Sequence, residues 1–218
     1  MARVLLVDDH PSFRQALAFM LRQQPGVDAV AQAGSLAEAR GVLGGPEEID
    51  VAVLDLDLPD GSGADLIKDV HAACSDARVL ILTASTDRYD AAQAVEVGAD
   101  GILLKAATIE EILDAVRRLA IGEQLLSQHE VIELLRLVGQ RRQEERAARR
   151  ALDQLTPREL QVLQALADGL SDQEMAERLH LSVRTARTHM TNILAKLRVE
   201  SRLQALIFAL RHGIVRLD

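Results

Sequence analysis

Ala2-Arg3-Val4-Leu5-Leu6-Val7-Asp8-Asp9 is an apolar run of strand length that stops at two adjacent carboxylates. Three further segments have the same form: IDVAVLDLDLPDG (49–61), ARVLILTAS (77–85) and DGILLK (100–105). Each reads as a short strand buried on both faces. Helix-length segments separate them, which predicts a parallel sheet with right-handed crossovers. Ligands of such sheets bind outside the carboxyl ends of the strands. Asp8, Asp9, Asp55, Thr83 and Lys105 all stand where the apolar runs stop, so they should converge on one edge. Three carboxylates, a hydroxyl and an ammonium in one pocket suit a hard cation and a phosphoryl group.

The pattern extends to five strand–helix units. Strands are expected near Arg3–Val7, Ala29–Gln32, Val51–Leu54, Val79–Leu82 and Ile102–Leu104. Helices are expected near Ser12–Gln23, Leu36–Leu43, Ala64–Ala73, Tyr89–Val97 and Ile109–Ala120. Thr108 and Glu111 form a capping box for the last of these, and Gly122 closes it. The fold class is therefore α/β, a doubly wound five-stranded parallel sheet of flavodoxin-like type, followed by a small all-α domain.

The 218 residues suffice for two small domains. With no Trp and 2% aromatics, the cores must be built from Leu, Val, Ile and Ala. The one cysteine, Cys74, excludes an intramolecular disulfide and reads as a small core residue on a helix. A first strand that begins at once, and the lack of any apolar run near the roughly 18 residues of a membrane span, predict a cytoplasmic protein. Charge is unevenly divided. Residues 1–122 carry 10 Lys and Arg against 20 Asp and Glu, whereas Ser182–Arg216 carries 7 against Glu200 alone. The two ends should meet different ligands.

A further helix is expected from Ser127, with Val131, Leu134, Leu135 and Val138 as its apolar stripe. Beyond Gly139 the stripe fades into RRQEERAARRA, a solvated helical linker with Glu145 and Arg149 as an i,i+4 pair. Thr156-Pro157-Arg158-Glu159, Ser171 with Glu174, and Ser201 with Gln204 are helix starts, and Ser182 caps a helix running to about Arg198. Four short helices joined by tight turns make a helix-turn-helix arrangement. In the helix after Ser182, Ala186, Met190, Ile193 and Leu197 should be buried. Arg184, Thr188, Thr191 and Ala195 share the other side, flanked by Arg187, Asn192 and Arg198. Arg and Asn can read base edges there, and Arg, Lys and Thr can grip phosphate. The domains are read as 1–122, a linker over 123–152, and 153–218.

VLLVDDHP, VLDLDLPDGSG, ILTAS and GADGILLK resemble the receiver domain of bacterial two-component response regulators, over about residues 2–122. The resemblance implies that Asp55 accepts phosphate from a histidine kinase. It implies that Asp8 and Asp9 hold Mg²⁺ with Asp55, and that the backbone carbonyl of Asp57 completes the metal site. Thr83 is then the switch hydroxyl and Lys105 the phosphoryl clamp. Two positions depart from the pattern: Ile102 stands where receivers often carry an aromatic switch residue, and Ala106 replaces the proline that often follows the lysine. His10 belongs to the His-Pro pair of one subfamily and also reads simply as a helix-entry residue.

LTPRE, the DGLS turn and TARTHMTNILAKL resemble the LuxR-type helix-turn-helix of the NarL/FixJ regulators, over about Leu155 to Val215. The resemblance implies that Arg187, Thr188 and Thr191 face bases, that Arg184 and Lys196 lie near phosphates, and that Leu203, Leu206, Ile207 and Leu210 form a dimer face. The chain is thus read as a non-enzymatic, phosphorylation-dependent transcriptional regulator. Its partners are a histidine kinase and double-stranded DNA, and it acts as a homodimer with no membrane contact. Two alternatives stand beside this reading. One is an atypical receiver that controls DNA binding without phosphorylation. The other is a haloacid-dehalogenase-type phosphatase, suggested by Asp55-Leu56-Asp57, although its acid pair would precede the nucleophile rather than follow the lysine.

Overall fold

The computed structural model describes residues 2–216. The chain divides into two compact units, residues 1–140 and 141–218. In the first, strands β1 (Ala2–Val7), β2 (Val27–Ala33), β3 (Val51–Asp55), β6 (Arg78–Thr83) and β7 (Gly101–Leu104) form one parallel sheet. The short strands β4 (Asp57–Leu58) and β5 (Gly61–Ser62) make a separate antiparallel ladder after β3. Helices α1 (Pro11–Arg22), α2 (Leu36–Leu43), α3 (Gly63–Ala73), α4 (Arg88–Val97) and α5 (Ile109–Ala120) alternate with the strands of the main sheet. The sheet order is β2-β1-β3-β6-β7. The order reverses between β1 and β3, and the crevice beyond their carboxyl ends is where ligands of such sheets bind.

The apolar runs explain the layering. Successive strand residues point to opposite faces. Leu5 and Val7 join Leu54, Ile81, Leu66 and Ile67 in one buried cluster. Val4 and Leu6 join Val53, Leu80, Leu17, Ile112 and Val116 in the other. The predicted strands and helices are all present, most of them a residue or two longer than expected. The Thr108–Glu111 capping box forms reciprocally, and Gly122 adopts φ +81° just beyond α5. Cys74 is partly buried against the first cluster, but it follows α3 in extended conformation instead of lying on the helix.

Helix α6 (Gln128–Asp153) is continuous from the predicted start, where Ser127 and Glu130 exchange hydrogen bonds. Two details differ from expectation. Leu134 and Val138 pack on Ala92 with Leu137 beside them, whereas Leu135 is exposed. The i,i+3 and i,i+4 neighbours of Leu134 decide the face, and Leu135 falls outside it. Glu145 pairs backward with Arg141 at 3.8 Å, while Arg149, expected as its partner, is exposed.

The second unit holds helices α7 (Pro157–Ala167), α8 (Asp172–Arg178), α9 (Val183–Leu197) and α10 (Arg202–Arg211). Thr156 with Glu159 and Ser171 with Glu174 form reciprocal capping boxes, and Ser182 accepts the Thr185 amide. At α10 only half of the box forms. Ser201 Oγ accepts the Gln204 amide, but Gln204 Oε1 takes the amide of Glu200. Ala186, Met190, Ile193 and Leu197 enter one core with Val162, Leu163, Met175, Ala205 and Ala209.

Truncating Leu134 would leave a void beneath α4. Leu134→Ala should destabilise the first unit by about 2–4 kcal/mol, the range for large-to-small changes at well-packed positions. Urea unfolding of the variant should show a lower midpoint with an unchanged slope.

Candidate functional site

Asp8 follows β1, Asp55 ends β3, Thr83 ends β6 and Lys105 follows β7. Parallel register brings the strand ends level: Asp55 pairs with Leu82, Thr83 pairs with Leu104, and the Lys105 amide donates to the Thr83 carbonyl at 2.8 Å. Asp8, Asp55 and Thr83 are almost fully buried, at 1%, 2% and 2% exposure. Lys105 Nζ lies 2.5 Å from Asp55 Oδ2 and 2.7 Å from Asp8 Oδ2, so one ammonium spans two buried carboxylates. The contact with Asp8 is an ion pair without hydrogen-bond alignment. The Phe13 ring lies 5.7 Å from the same ammonium and adds a cation–π contact.

The remaining contacts orient the carboxylates. The Asp57 amide donates to Asp55 Oδ1 at 3.2 Å, and the His10 amide to Asp8 Oδ1 at 2.8 Å. Arg14 Nη1 donates to the Asp8 carbonyl. His10 Nδ1 lies 2.6 Å from Asp9 Oδ1, and His10 enters α1 as its N-cap residue. Gly63 is forced by space: a Cβ there would sit 1.8 Å from the Asp55 carbonyl oxygen.

Burial pushes the Asp55 carboxyl above the usual carboxylate range, and Asp8 pushes the same way, against hydrogen bonds from Lys105 and the Asp57 amide. Burial pulls Lys105 down, but the negative charge of Asp55 and Asp8 beside it prevails and raises it. The two directions are compatible. One ammonium shared by two desolvated carboxylates stays charged, while the carboxylates remain short of positive charge. Ligand atoms of Asp8, Asp9, His10 and Asp55 lie within 4.8 Å of one another. Asp8 Oδ2 and Asp9 Oδ1 are buried without a hydrogen bond. Buried carboxylate oxygens that converge on one point, with a single ammonium among them, fit a hard divalent cation.

A cleft of about 470 Å³ opens on this cluster, lined by His10, Phe13, Asp55, Asp57, Ala84 and Lys105. A second, of about 420 Å³, lies beside Thr83, Ser85 and Asp90. Thr83 Oγ1 accepts the Ser85 amide at 3.0 Å, and Ser85 Oγ donates to Asp90 of α4 at 2.7 Å. This tie from Thr83 to α4 was not legible beforehand, because Ser85 reads as a turn residue until α4 is placed. Ile102 packs partly buried in β7.

In the second unit, Arg184, Arg187, Thr188, Thr191 and Asn192 are exposed along α9, as expected from the helical spacing. Thr188 and Thr191 donate their hydroxyl protons to the carbonyls of Arg184 and Arg187, at 2.9 and 3.0 Å. Outward they offer a methyl group and an acceptor. Lys196 stands apart from this row. Its ammonium is held 2.6 and 2.9 Å from the two carboxylate oxygens of Glu159. Glu159, 2% exposed, also takes the Thr156 amide and hydroxyl at 2.7 and 2.9 Å. Arg187 Nε donates to Asp172 at 2.7 Å. The capping pattern marked Glu159 in the sequence, but its partner 37 residues away gave no local signal.

Comparison with known proteins then decides the family. Residues 4–117 match the model of the response regulator receiver domain, and residues 153–209 match that of the bacterial regulatory proteins of the luxR family. The chain belongs to the two-component response regulators. The nitrate/nitrite response regulator protein NarP of Escherichia coli is 37% identical over 209 residues, which is 96% of this chain and 94% of that protein. The DNA-binding transcriptional activator DevR/DosR of Mycobacterium tuberculosis is 36% identical over 210 residues, again 96% and 94%. The crystal structure of the response regulator ChrA, from a heme-sensing two-component system, covers 98% of both chains at 32% identity with a TM-score of 0.50. The regulator therefore couples a receiver to a DNA-binding LuxR-type domain, and its relatives are transcriptional regulators.

Two consequences can be measured. Gly63→Ala must displace the backbone that carries Asp55, so both stability and phosphoryl uptake should fall, the former by about 1–3 kcal/mol as for overpacked sites. Urea unfolding and incorporation of labelled phosphoryl group check this. The second concerns Glu159. Burial would raise its carboxyl, but Lys196 and the Thr156 donors hold it below the usual range. A depressed carboxylate contributes stability that is present above its unfolded value and lost as pH falls through the folded one. The second unit should therefore weaken as pH drops below about 4.5, its unfolded value. Glu159→Gln should make that slope shallower and cost about 2 kcal/mol, less than a fully buried pair because Lys196 is 29% exposed. Thermal melting between neutral and acidic pH checks both.

Proposed function

We propose that Asp55 is the phosphoacceptor and that phosphorylation there controls the C-terminal domain. The carrying observation is Asp55 itself, a buried carboxylate opening on a cleft, gripped by Lys105 and beside the buried carboxylate oxygens of Asp8 and Asp9. Asp55 Oδ attacks the phosphorus of a kinase phosphohistidine, the P–N bond breaks, and the released imidazole takes a proton. Lys105 already sits within ion-pair distance of Asp55 and follows the charge as the clamp. Thr83 accepts from Ser85, so its own proton is free to donate to a phosphoryl oxygen. The Ser85–Asp90 bond supports transmission of that shift to α4.

The carboxylates of Asp8, Asp9 and Asp55 with the Asp57 carbonyl would hold Mg²⁺, which supplies positive charge to the carboxylates and the phosphoryl oxygens when bound. Arg184, Arg187, Thr188, Thr191 and Asn192 would meet double-stranded DNA. Lys196, bound to Glu159, would act there chiefly by holding α9 against α7. Leu203 and Ile207, 65% and 50% exposed on α10, support a homodimer. The domain scheme is a receiver over 1–122, a helical linker over 123–152 and a DNA-binding domain over 153–218. No described helix is long and apolar enough to cross a membrane. A regulator that meets both a kinase and the chromosome acts in the cytoplasm. It works without turnover, as the family of transcription regulators suggests.

Asp55→Asn cannot form an acyl phosphate. After treatment with Mg²⁺ and a small acyl-phosphate donor, intact mass spectrometry should show one added phosphoryl group on the wild type and none on the variant. The two unphosphorylated proteins should give the same circular dichroism. Equal incorporation in the variant would sink the assignment.

A further inference from the structure

Asp172 is the first residue of α8, not a member of α9. Its carboxylate takes two guanidinium groups. Arg187 Nε donates to Oδ2 at 2.7 Å, and Arg202 Nη1 lies 2.6 Å from Oδ1. Arg187 comes from the exposed row of α9, and Arg202 opens α10. The side chain of Asp172 is only 19% exposed, against 66% for Arg187 and 43% for Arg202. Hydrogen bonds from Arg202 and then Arg187 hold the carboxyl below its usual range, so it is ionised at neutral pH. The N-terminus of α8 adds favourable dipole potential.

A solvent-facing arginine surrenders substantial rotamer freedom when it binds. The bond through Nε fixes the plane of the Arg187 guanidinium before any ligand arrives. Its terminal amino groups donate no hydrogen bond to a described residue. Those two groups form the fork that matches two acceptors on one base edge. A free arginine beside DNA would instead swing to the nearest phosphate. The carboxylate repels phosphates, so its presence on this face works against affinity in general. An interaction that weakens general attraction while holding one fork still serves discrimination.

We propose that Asp172 is a positioning residue for base reading, presenting Arg187 to a base edge and so setting sequence preference at one base pair. The proposal rests on the reading of α9 as the DNA-reading helix.

The test uses the full-length protein treated with Mg²⁺ and an acyl-phosphate donor. The wild type first selects its preferred site from a pool of random-sequence double-stranded DNA. Wild type, Asp172→Ala, Arg187→Ala and the double variant are then compared on that site, on its single-base-pair variants and on random duplex. Asp172→Ala should relax preference at the same base pair as Arg187→Ala, by about tenfold. The double variant should relax it no further than Arg187→Ala alone, since both act through one contact. Binding of Asp172→Ala to random duplex should be equal to or tighter than that of the wild type. Asp172→Asn keeps an acceptor for Nε without the charge. It should retain more of the preference than Asp172→Ala while gripping random duplex more tightly than the wild type. A purely structural role would lower melting temperature and weaken every site alike. That outcome, an unchanged preference, or relaxation at a different base pair would each overturn the proposal. If the wild type selects a site but Arg187→Ala keeps full preference, the proposal fails and the DNA reading stands. If the wild type selects no site, both fall.

Discussion

The ammonium of Lys105 between Asp8 and Asp55 is the interaction on which the first unit turns. Two carboxylates at 1% and 2% exposure cannot both keep their charge in an apolar setting without a cation beside them. Lys105 supplies that charge from the end of β7, two strands away from β3. The pair therefore links three strands at the carboxyl edge of the sheet. It leaves the site still deficient in positive charge, since one ammonium faces the clustered carboxylates of Asp8, Asp9 and Asp55 and the Asp55 carboxyl stays raised. A pocket in that condition would gain from a cation, and a cation or phosphoryl group there would change which oxygens Lys105 can hold.

The second unit repeats the principle with a different purpose. Glu159 is buried at the start of α7 and holds Lys196 near the end of α9. Asp172 starts α8 and holds Arg187 on α9 and Arg202 on α10. Both anions stand in the first turn of a short helix, where unsatisfied amides and the helix dipole favour negative charge. Two of their partners, Lys196 and Arg187, are cations that the sequence pattern assigns to DNA. Burial separates the two: Lys196 is tied inward to a buried carboxylate, while Arg187, though paired with Asp172, remains exposed.

Helix α6 shows where a pattern read along one element gives way to its neighbours. Its stripe was legible in Val131, Leu134 and Val138, yet Leu135 faces outward and Leu137 takes part in the packing. Helical period limits which residues share a face, but the position of Ala92 on α4 selects the face. Ile102 is a related case. An aliphatic side chain stands at that position, and Thr83 is joined to α4 through the amide and hydroxyl of Ser85 and the carboxylate of Asp90. Their spacing in the chain is short, but only the turn before α4 brings them together.

What the sequence determined by itself was local and periodic. Apolar runs of strand length, capping residues at Thr108, Thr156, Ser171 and Ser182, and the helix-closing Gly122 act within a few residues. From these followed the strand–helix alternation, the parallel sheet and the gathering of Asp8, Asp55, Thr83 and Lys105 at one edge. A parallel sheet leaves little choice of where strand ends lie. Tertiary structure alone decided which charges met which. Lys105 chose Asp55 and Asp8 across 50 or more residues, Lys196 chose Glu159, and Arg187 chose Asp172. Ion pairing depends on distance and desolvation after packing, and neither is encoded in the spacing of residues along the chain.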